Sequence, residues 1–226
     1  MKTIAHIYND FDEKFGIPRQ SGLTPVISRV VFEKEYSVKE AFRGLEGFSH
    51  LWLIWKFSKA ERESWSPTVR PPRLGGNTRM GVFATRSPFR PNSIGLSSVK
   101  LVKIDLENPD GVTLYVEGAD ILNGTPVLDV KPYLAYTDSH PNASGGFSLS
   151  DKSAVLGVEV PESVKKEIPC EKYDSLISVL AQDPRPQYQD EPERIYTMAF
   201  GGMDVSFRVE NHTLFVTKIK KIDKSI

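Results

Sequence analysis

The sequence predicts a mainly β protein in which a β-barrel is followed by a small α/β domain. In the first two-thirds of the chain, short β-branched or alternating apolar runs recur at near-regular spacing with few helical patterns between them, as in closed or nearly closed barrels. A stretch rich in Ser, Gly, Asn and Asp follows, and beyond it the pattern changes. We therefore divide the chain into a barrel domain (1–140), a linker (141–153) and an α/β domain (154–226).

Six strands and one short helix are predicted in the barrel domain. The strands are residues 26–32, 50–57, 80–84, 98–104, 112–116 and 126–130. The second of these is apolar on both faces, which is typical of a central strand, and its Trp52 and Trp55 are expected in the core. The helix is expected to begin at Ser37 as N-cap, with Glu40 completing a capping box, and to end by Gly47.

The α/β domain is predicted to begin with a strand at residues 155–160. An amphipathic helix follows, because apolar side chains recur at i, i+3, i+4 and i+7, and Asp183-Pro184 ends it. These side chains are Tyr173, Leu176, Ile177 and Leu180. Residues 195–200, 205–209 and 214–219 then form a three-stranded meander with a turn at Gly201-Gly202.

The composition excludes several classes of protein. The chain has zero formal net charge. It has a single cysteine, Cys170, which excludes an intrachain disulfide framework and a cysteine-rich zinc site. No apolar run is long enough to span a membrane, and the first ten residues carry an acid where a signal peptide needs an apolar stretch. We therefore expect a cytoplasmic protein. Motifs for dinucleotides and for nucleoside triphosphates are missing.

A metal site is not predicted. The four histidines are scattered without the spacing of metal ligands. Asp10, Asp12 and Glu13 form a small acidic cluster that could hold a cation, but such a cluster is more often a solvated turn.

Residues 70–92 form the segment most indicative of function. They contain five arginines and no acid, and their Pro-Pro and Gly-Gly pairs keep much of the backbone out of a helix. Five like charges repel one another unless an anion lies among them, and the phosphates of a nucleic acid are the first candidate. A second rigid turn with one cation follows the helix of the α/β domain. The predicted RNA contacts are Arg70, Arg73, Arg79, Arg90, Asp183 and Arg185.

Three other motifs are ordinary structural features when each is taken alone. Gly124-Thr125-Pro126 is most simply a hairpin turn, although the flanking Asp120 and Asn123 could present backbone groups to a ligand. Pro18-Arg19-Gln20 is an ordinary loop, and His50 is either a hydrogen-bonded histidine in the core or at the barrel rim, or a ligand contact.

Four blocks in the right order give these motifs a common meaning. Residues 15–20, 44–52, 70–92 and 124–133 together resemble the TsaA-like family over about the first 140 residues. The helix that ends before Asp183-Pro184 also resembles the carboxy-terminal domain of the longer, bacterial-type members. Ser93 stands where the family often has proline, which should loosen the loop without removing a functional group.

The resemblance implies a barrel that binds S-adenosylmethionine and a homodimer that methylates N6 of threonylcarbamoyladenosine in tRNA, just 3′ of the anticodon. The implied cofactor contacts are Pro18, Arg19, Gln20, His50, Leu51, Arg86, Leu96, Asp120, Ile121, Leu122 and Asn123. Leu51 and Leu96 suit an apolar slot for adenine, and an arginine suits the methionine carboxylate.

No catalytic residue is assigned by the resemblance. N6 of the modified base is conjugated to a carbonyl, so its proton is more acidic and its lone pair less nucleophilic, and a base or hydrogen-bond acceptor is expected. A non-catalytic RNA-binding module and an enzyme that hydrolyses the cofactor remain alternatives. The polar linker is expected to be crossed by few core contacts, so that the barrel could fold without the α/β domain.

Overall fold

The computed structural model describes residues 1–60, 64–148, 155–185 and 191–222, and it leaves the side chain of Arg73 undescribed. The strands are β1 (Ala5–Tyr8), β2 (Ile27–Phe32), β3 (His50–Lys56), β4 (Thr68–Val69), β5 (Met80–Gly81), β6 (Ile94–Asp105), β7 (Thr113–Glu117), β8 (Thr125–Pro132), β9 (Gly157–Glu159), β10 (Tyr196–Phe200), β11 (Met203–Glu210) and β12 (Thr213–Lys221). The α-helices are α1 (Ala135–Asp138), α2 (Glu162–Lys165) and α3 (Cys170–Ala181). The predicted mainly β fold is confirmed.

A closed antiparallel barrel forms the first part of the molecule, with strand order β1-β2-β7-β6-β3-β8. Successive side chains of a strand point to opposite faces, so alternate residues of β3 (Leu51, Leu53 and Trp55) fill the interior. Gly95 on the neighbouring β6 leaves room for the Trp55 ring, since a Cβ atom built there would lie 2.2 Å from Cε2 of Trp55. The barrel core therefore has no space for a side chain at Gly95.

Some predicted barrel elements differ in the structure. β1 is not among the predicted strands, because four residues give too short an alternation to stand out. The strand expected at residues 80–84 is extended only at Met80–Gly81, and Val82–Ala84 form a 3₁₀ turn. β6 is longer than expected and begins at Ile94, immediately after the cationic segment.

The helix expected after Ser37 is wrong. Residues 34–47 contain three 3₁₀ turns instead (Lys34–Tyr36, Lys39–Phe42 and Leu45–Gly47). The side chain of Ser37 does not cap a helix. Its Oγ lies 3.1 Å from the carbonyl oxygen of Phe32 and accepts a hydrogen bond of 3.1 Å from the backbone N–H of Val112. Ser37 thus joins the end of β2 to the start of β7.

The second part of the molecule is a four-stranded sheet covered by α3. Its strand order is β10-β11-β12-β9, so the predicted meander is confirmed and β9 adds a parallel edge strand. Leu176, Val179 and Leu180 of α3 pack into the same core as Phe200 and Phe207 of the sheet. None of the described helices is long and apolar enough to cross a membrane.

The segment between β1 and β2 belongs to the core of the second part as much as to the barrel. Phe11 and Val26 are buried in that core, and Phe15 and Ile17 pack against it. Gly16 also lies against the second part, because a Cβ there would meet the sulfur of Met198 at 2.8 Å. The expectation of few contacts between the parts is therefore wrong. Residues 141–148 of the predicted linker carry exposed side chains for the most part, whereas residues 149–154 lie outside the described part of the chain.

The acidic cluster in this segment has a structural role. Asp10 pairs with Lys172 of α3 at 2.8 Å, and Asp12 and Glu13 accept backbone N–H groups of Gly202 (3.1 Å) and Ala199 (2.7 Å). The turn is thus bonded to the second sheet rather than solvated. Across residues 1–60, 64–148, 155–185 and 191–222, no group of three or more His, Cys, Asp or Glu could hold a metal ion.

Candidate functional site

Three predicted site residues from distant parts of the sequence meet beside the barrel. The side-chain oxygen of Gln20 accepts a short hydrogen bond from Nη1 of Arg86. The charge of Arg86 also acts on the carboxylate of Asp120. A hydrogen bond of 2.5 Å from the Ser97 hydroxyl holds that carboxylate, and the indole N–H of Trp55 donates to the same hydroxyl at 3.0 Å.

Asp120 is the chemically distinctive group of this cluster. Burial raises the pKa of its carboxyl, and the hydrogen bond from Ser97, backbone N–H groups and the charge of Arg86 oppose this effect without cancelling it. A carboxylate with a raised pKa is a stronger proton acceptor than an ordinary aspartate. The cluster therefore combines a cation with a base.

The loop that carries Gln20 lies tightly against the end of β7. The backbone N–H of Gly22 donates to the carbonyl of Gly118 at 2.8 Å, and that of Gly118 donates to the carbonyl of Val26 at 3.1 Å. Gly118 has a φ of +87°, and a Cβ there would lie 3.1 Å from Cα of Gly22. Glycine at this position lets the loop approach, because a side chain would be strained and crowded.

A cleft of about 450 Å³ opens next to this loop. It is lined by Ser21, Gly22, Leu23, Thr24, Pro25, His50, Ser98, Lys100, Glu117 and Gly118. His50 is exposed at its rim, with Nδ1 2.9 Å from the Ser49 hydroxyl. Lys100 and Glu117 face each other across two strands at 3.5 Å. The cleft is thus polar, with one predicted cofactor contact, His50, in its wall.

Leu51 and Leu96 lie on opposite faces of the barrel wall. The side chain of Leu51 is fully buried in the barrel core, whereas Leu96 points outwards and is 55% exposed. The side chain of Leu96 can therefore line a slot for adenine on the outside of the barrel. The side chain of Leu51 cannot, so the expectation is wrong for that residue.

The turn at Gly124 is not a hairpin. It joins β7 to β8, and these strands are not neighbours in the barrel. The preceding Ile121 and Leu122 are buried, and Asn123 accepts a 3.1 Å hydrogen bond from the backbone N–H of Asn9. Asn9 in turn donates from its side chain to the carbonyl of Ile121 at 2.9 Å. The turn is locked to the β1–β2 segment, which leaves mainly backbone groups for a ligand.

Arg19 points away from this cluster, towards the second part of the molecule. Its Nη2 lies 3.3 Å from the carbonyl oxygens of both Asp183 and Arg185. Pro18, immediately before it, is buried. The three residues of the Pro18-Arg19-Gln20 motif therefore face different surroundings, and Gln20 is the one that faces Arg86.

The arginines of the cationic segment differ in exposure. Arg70 and Arg79 are exposed beside the β4–β5 ribbon, where Arg79 donates to the Thr68 hydroxyl at 3.2 Å. Arg90 is half-buried and donates to the carbonyl of Thr85 at 2.8 Å, so it holds the backbone of its own loop. The side chain of Arg73 lies outside the described structure.

Arg185 is not displayed towards solvent, contrary to the prediction from the sequence. Its side chain is 11% exposed and forms a two-pronged ion pair with Asp183, with bonds of 2.9 and 3.0 Å. The pair closes the turn after α3, where Asp183 takes a left-handed φ of +48°. Any contact of Arg185 with RNA would require this pair to open. Pro186 lies outside the described residues.

Ser97 and Trp55 of the cluster are not among the predicted site residues. Ser97 could have been found from the sequence, because it alternates with Gly95 and Val99 on the inward face of β6. A buried hydroxyl there needs a hydrogen-bond partner. That partner, Asp120, lies 23 residues further along the chain.

Two family models match the chain, in the order of the two parts of the fold. The tRNA-methyltransferase O N-terminal domain matches residues 6–139, and the TrmO C-terminal domain matches residues 157–222. Together they cover the barrel and the second sheet.

Known proteins resemble the chain over nearly its whole length. A protein of Escherichia coli (strain K12) named tRNA (adenine(37)-N6)-methyltransferase is 42% identical over 217 residues, which are 92% of each chain. A Pseudomonas aeruginosa protein named as a candidate S-adenosylmethionine-dependent methyltransferase is 40% identical over 215 residues, 91% of this chain and 90% of its own. The crystal structure of TrmO from Pseudomonas aeruginosa has a TM-score of 0.77 and 32% identity, covering 96% of this chain and 97% of that one.

Proposed function

The chain belongs to the tRNA-methyltransferase O family and is an S-adenosylmethionine-dependent tRNA methyltransferase, and we propose that it methylates N6 of threonylcarbamoyladenosine 37 at the cluster of Gln20, Arg86 and Asp120. The contact of Gln20 with Arg86, next to Asp120, is the observation that carries this location. It brings together residues from three distant parts of the sequence, and two of them, Gln20 and Arg86, lie in the blocks that carry the family resemblance.

The residues around the cluster fit the cofactor. The guanidinium of Arg86 suits the methionine carboxylate, and the outward side chain of Leu96 suits one face of the adenine. The neighbouring cleft of about 450 Å³ is of the size that small-molecule sites have. When bound, S-adenosylmethionine supplies a methyl group on a positively charged sulfur. His50 and the backbone of residues 120–123 would complete the contacts.

We propose that the carboxylate of Asp120 accepts the proton that leaves N6. The N6 nitrogen can attack the methyl group only as its proton leaves, and a partly buried carboxylate with a raised pKa is suited to accept that proton. The Ser97 hydroxyl, fixed by Trp55, orients the carboxylate. The charge of Arg86 lowers the pKa of Asp120 against the effect of burial, because a neighbouring cation favours the charged form.

The assignment of Asp120 predicts a specific dependence of rate on pH. Single-turnover methylation should rise with pH as the Asp120 carboxyl ionises, because only the carboxylate accepts a proton. Asp120→Asn should lose this rising limb and be slower by about 10²- to 10⁴-fold, the usual contribution of a general base. An Asp120→Asn enzyme with the wild-type pH profile would exclude Asp120 as the base, and unchanged cofactor affinity would separate this role from binding.

The tRNA is proposed to contact the exposed arginines of residues 70–92. Arg70 and Arg79 are accessible to phosphates, and Arg73 stays a prediction. Arg90 and the Asp183–Arg185 pair are assigned to holding their own loops, because their hydrogen bonds go to neighbouring backbone or to each other.

A homodimer and a cytoplasmic location are also proposed. Two exposed apolar side chains, Leu23 and Ile27, lie beside the cleft. Leu23 lines the cleft, and Ile27 is the β2 strand partner of Glu117 on β7, which also lines it. A second copy would cover these apolar side chains and narrow the cleft. The tRNA substrate supports the location. Sedimentation of the purified protein as a monomer at micromolar concentration would contradict the dimer.

A further inference from the structure

Two exposed aromatic side chains stack on each other, one just before the cationic segment of residues 70–92 and one within it. Trp65 and Phe83 are 48% and 71% exposed, and their ring centroids lie 6.0 Å apart with an angle of 29° between the planes. Large apolar side chains are usually covered in a folded protein, and a pair of stacked rings left open to solvent marks a surface for binding.

The backbone around the two rings is held by the β4–β5 ribbon. Trp65 lies just before β4 and Phe83 just after β5, and Thr68 pairs with Gly81 in that ribbon. The backbone N–H of Val82 donates to the carbonyl of Pro67 at 3.0 Å, which ties the two flanks together. The rings are therefore placed before any partner arrives, so little conformational entropy is lost on binding.

Arg90 supports the same surface. Its guanidinium carbon lies 5.8 Å from the centroid of the Phe83 ring, while Nη1 donates to the carbonyl of Thr85. The guanidinium thus fixes the loop and lends positive potential to the ring, a combination that favours electron-rich, anionic partners.

The charge of the segment identifies the partner. Residues 64–92 contain five arginines and no acid, so the rings lie in a purely cationic stretch of sequence. An apolar peptide would gain nothing from those charges, whereas single-stranded RNA offers a phosphate and a π-face at every nucleotide. Phe83 is also three residues from Arg86, which limits the distance between their Cα atoms to about 11 Å. The surface therefore lies next to the proposed reaction site.

We propose that Trp65 and Phe83 form a stacking platform for an unpaired base of the anticodon loop, one that neighbours the adenosine to be methylated. The proposal rests on the proposed function, since it takes the same RNA as substrate. Stacking on the platform would hold the loop open and aim the target base at Gln20, Arg86 and Asp120. Because every base has a π-face, the platform would position the loop without reading its sequence.

Binding of a synthetic anticodon stem-loop RNA tests the platform. Trp65→Ala and Phe83→Ala should each weaken binding by about 5- to 150-fold, the range for loss of one stacked base. Phe83→Tyr should bind almost as the wild type does. Tyr136→Ala is the matched control, because Tyr136 is a more exposed aromatic outside the segment, and it should change nothing. Thermal unfolding and cofactor affinity of all variants should equal those of the wild type.

Two further readouts identify the interaction as stacking. The dependence of affinity on salt should be unchanged in Phe83→Ala, whereas Arg79→Ala should reduce the slope by about one. When each loop nucleotide is replaced in turn by an abasic one, the Phe83→Ala penalty should vanish at the base that stacks on the platform. Persistence of the penalty at every position would overturn the proposal, as would wild-type affinity of Phe83→Ala.

The same variants distinguish a platform for RNA from a contact between two copies of the chain. A Phe83→Ala protein that loses RNA only in step with a change in its sedimentation would place the rings in such a contact, and would overturn the proposal. Failure of the wild-type protein to bind the stem-loop would instead overturn the proposed function.

Discussion

Arg86 is the residue through which the motifs of the candidate site interact. It bonds to Gln20 and acts electrostatically on Asp120, and yet it is exposed and available to an anionic group. Its removal should therefore affect the cofactor directly and leave the fold intact.

We expect Arg86→Ala to weaken S-adenosylmethionine binding by about 1.5–3 kcal/mol, the contribution of a charge-assisted hydrogen bond, or roughly ten- to hundred-fold. Isothermal titration with the cofactor measures this, with ATP as a control ligand. Arg43→Ala is the matched variant, because Arg43 is also exposed and lies outside the cationic segment. Equal affinities of the two variants for S-adenosylmethionine would show that Arg86 does not contact the cofactor.

The sequence could identify the members of the site but not the position of their side chains. Gln20, Arg86 and Asp120 follow from the family resemblance, because each lies in or beside a recognisable block. A count of arginines cannot tell that Arg90 is bonded to Thr85 or that Arg185 is turned onto Asp183, since these contacts depend on local turns. Arg79, by contrast, is exposed as a solvated cation would be.

At the scale of elements, the contact of β3 with β6 supports the site. Trp55 crosses from one strand to lie over Gly95 of the other and donates to Ser97, which holds Asp120. The packing of one ring therefore fixes the orientation of the carboxylate.

Gly95→Ala should destabilise the barrel and disturb the site together. The added Cβ would lie 2.2 Å from the Trp55 ring, and overpacking of a core typically costs about 1–3 kcal/mol. Denaturant unfolding measures the loss, and methylation should fall because Trp55 must move away from Ser97. Gly47→Ala is the control, since its Cβ would meet nothing within 4 Å and its φ is not positive. Similar stabilities of both variants would show that the ring has room to shift.

Long, strongly patterned elements could be predicted from the sequence. β3, β7, α3 and the β10–β12 meander follow from clear periodicities. The 3₁₀ turns at residues 34–47 could not be, because Ser37 satisfies the capping pattern while its hydroxyl bonds to Phe32 and Val112. Whether the Ser37 hydroxyl caps a helix or bonds to these two residues depends on the distance between β2 and β7, which is fixed only in the folded barrel.

At the scale of the whole molecule, the β1–β2 segment connects the second part to the site. Phe11 and Val26 anchor it in the second core, while Gln20 at its centre faces Arg86. The second part thus holds the loop that carries a proposed cofactor contact, whereas the sequence patterns indicated a role for it only in RNA binding.

Ending the chain after residue 148 should therefore weaken cofactor binding as well as methylation. Phe11 and Val26 would lose their cover, and Asp10, Asp12 and Glu13 would lose their partners. Calorimetry with S-adenosylmethionine and thermal unfolding would report both effects. A chain shortened only by residues 223–226 is the control and should behave as the wild type. Undiminished cofactor affinity of the long truncation would show that the barrel holds the loop unaided.

Transfer of a methyl group to N6 of threonylcarbamoyladenosine 37 is the activity on which the proposed roles of these residues depend. It is tested by mass spectrometry of nucleosides from tRNA that carries this modification, after incubation with purified protein and S-adenosylmethionine. We predict a gain of one methyl group on the threonylcarbamoyladenosine nucleoside, no such gain in tRNA that lacks the threonylcarbamoyl group, and a much slower gain with Asp120→Asn. Consumption of the cofactor without a methylated nucleoside, or tRNA binding without turnover, would contradict this activity.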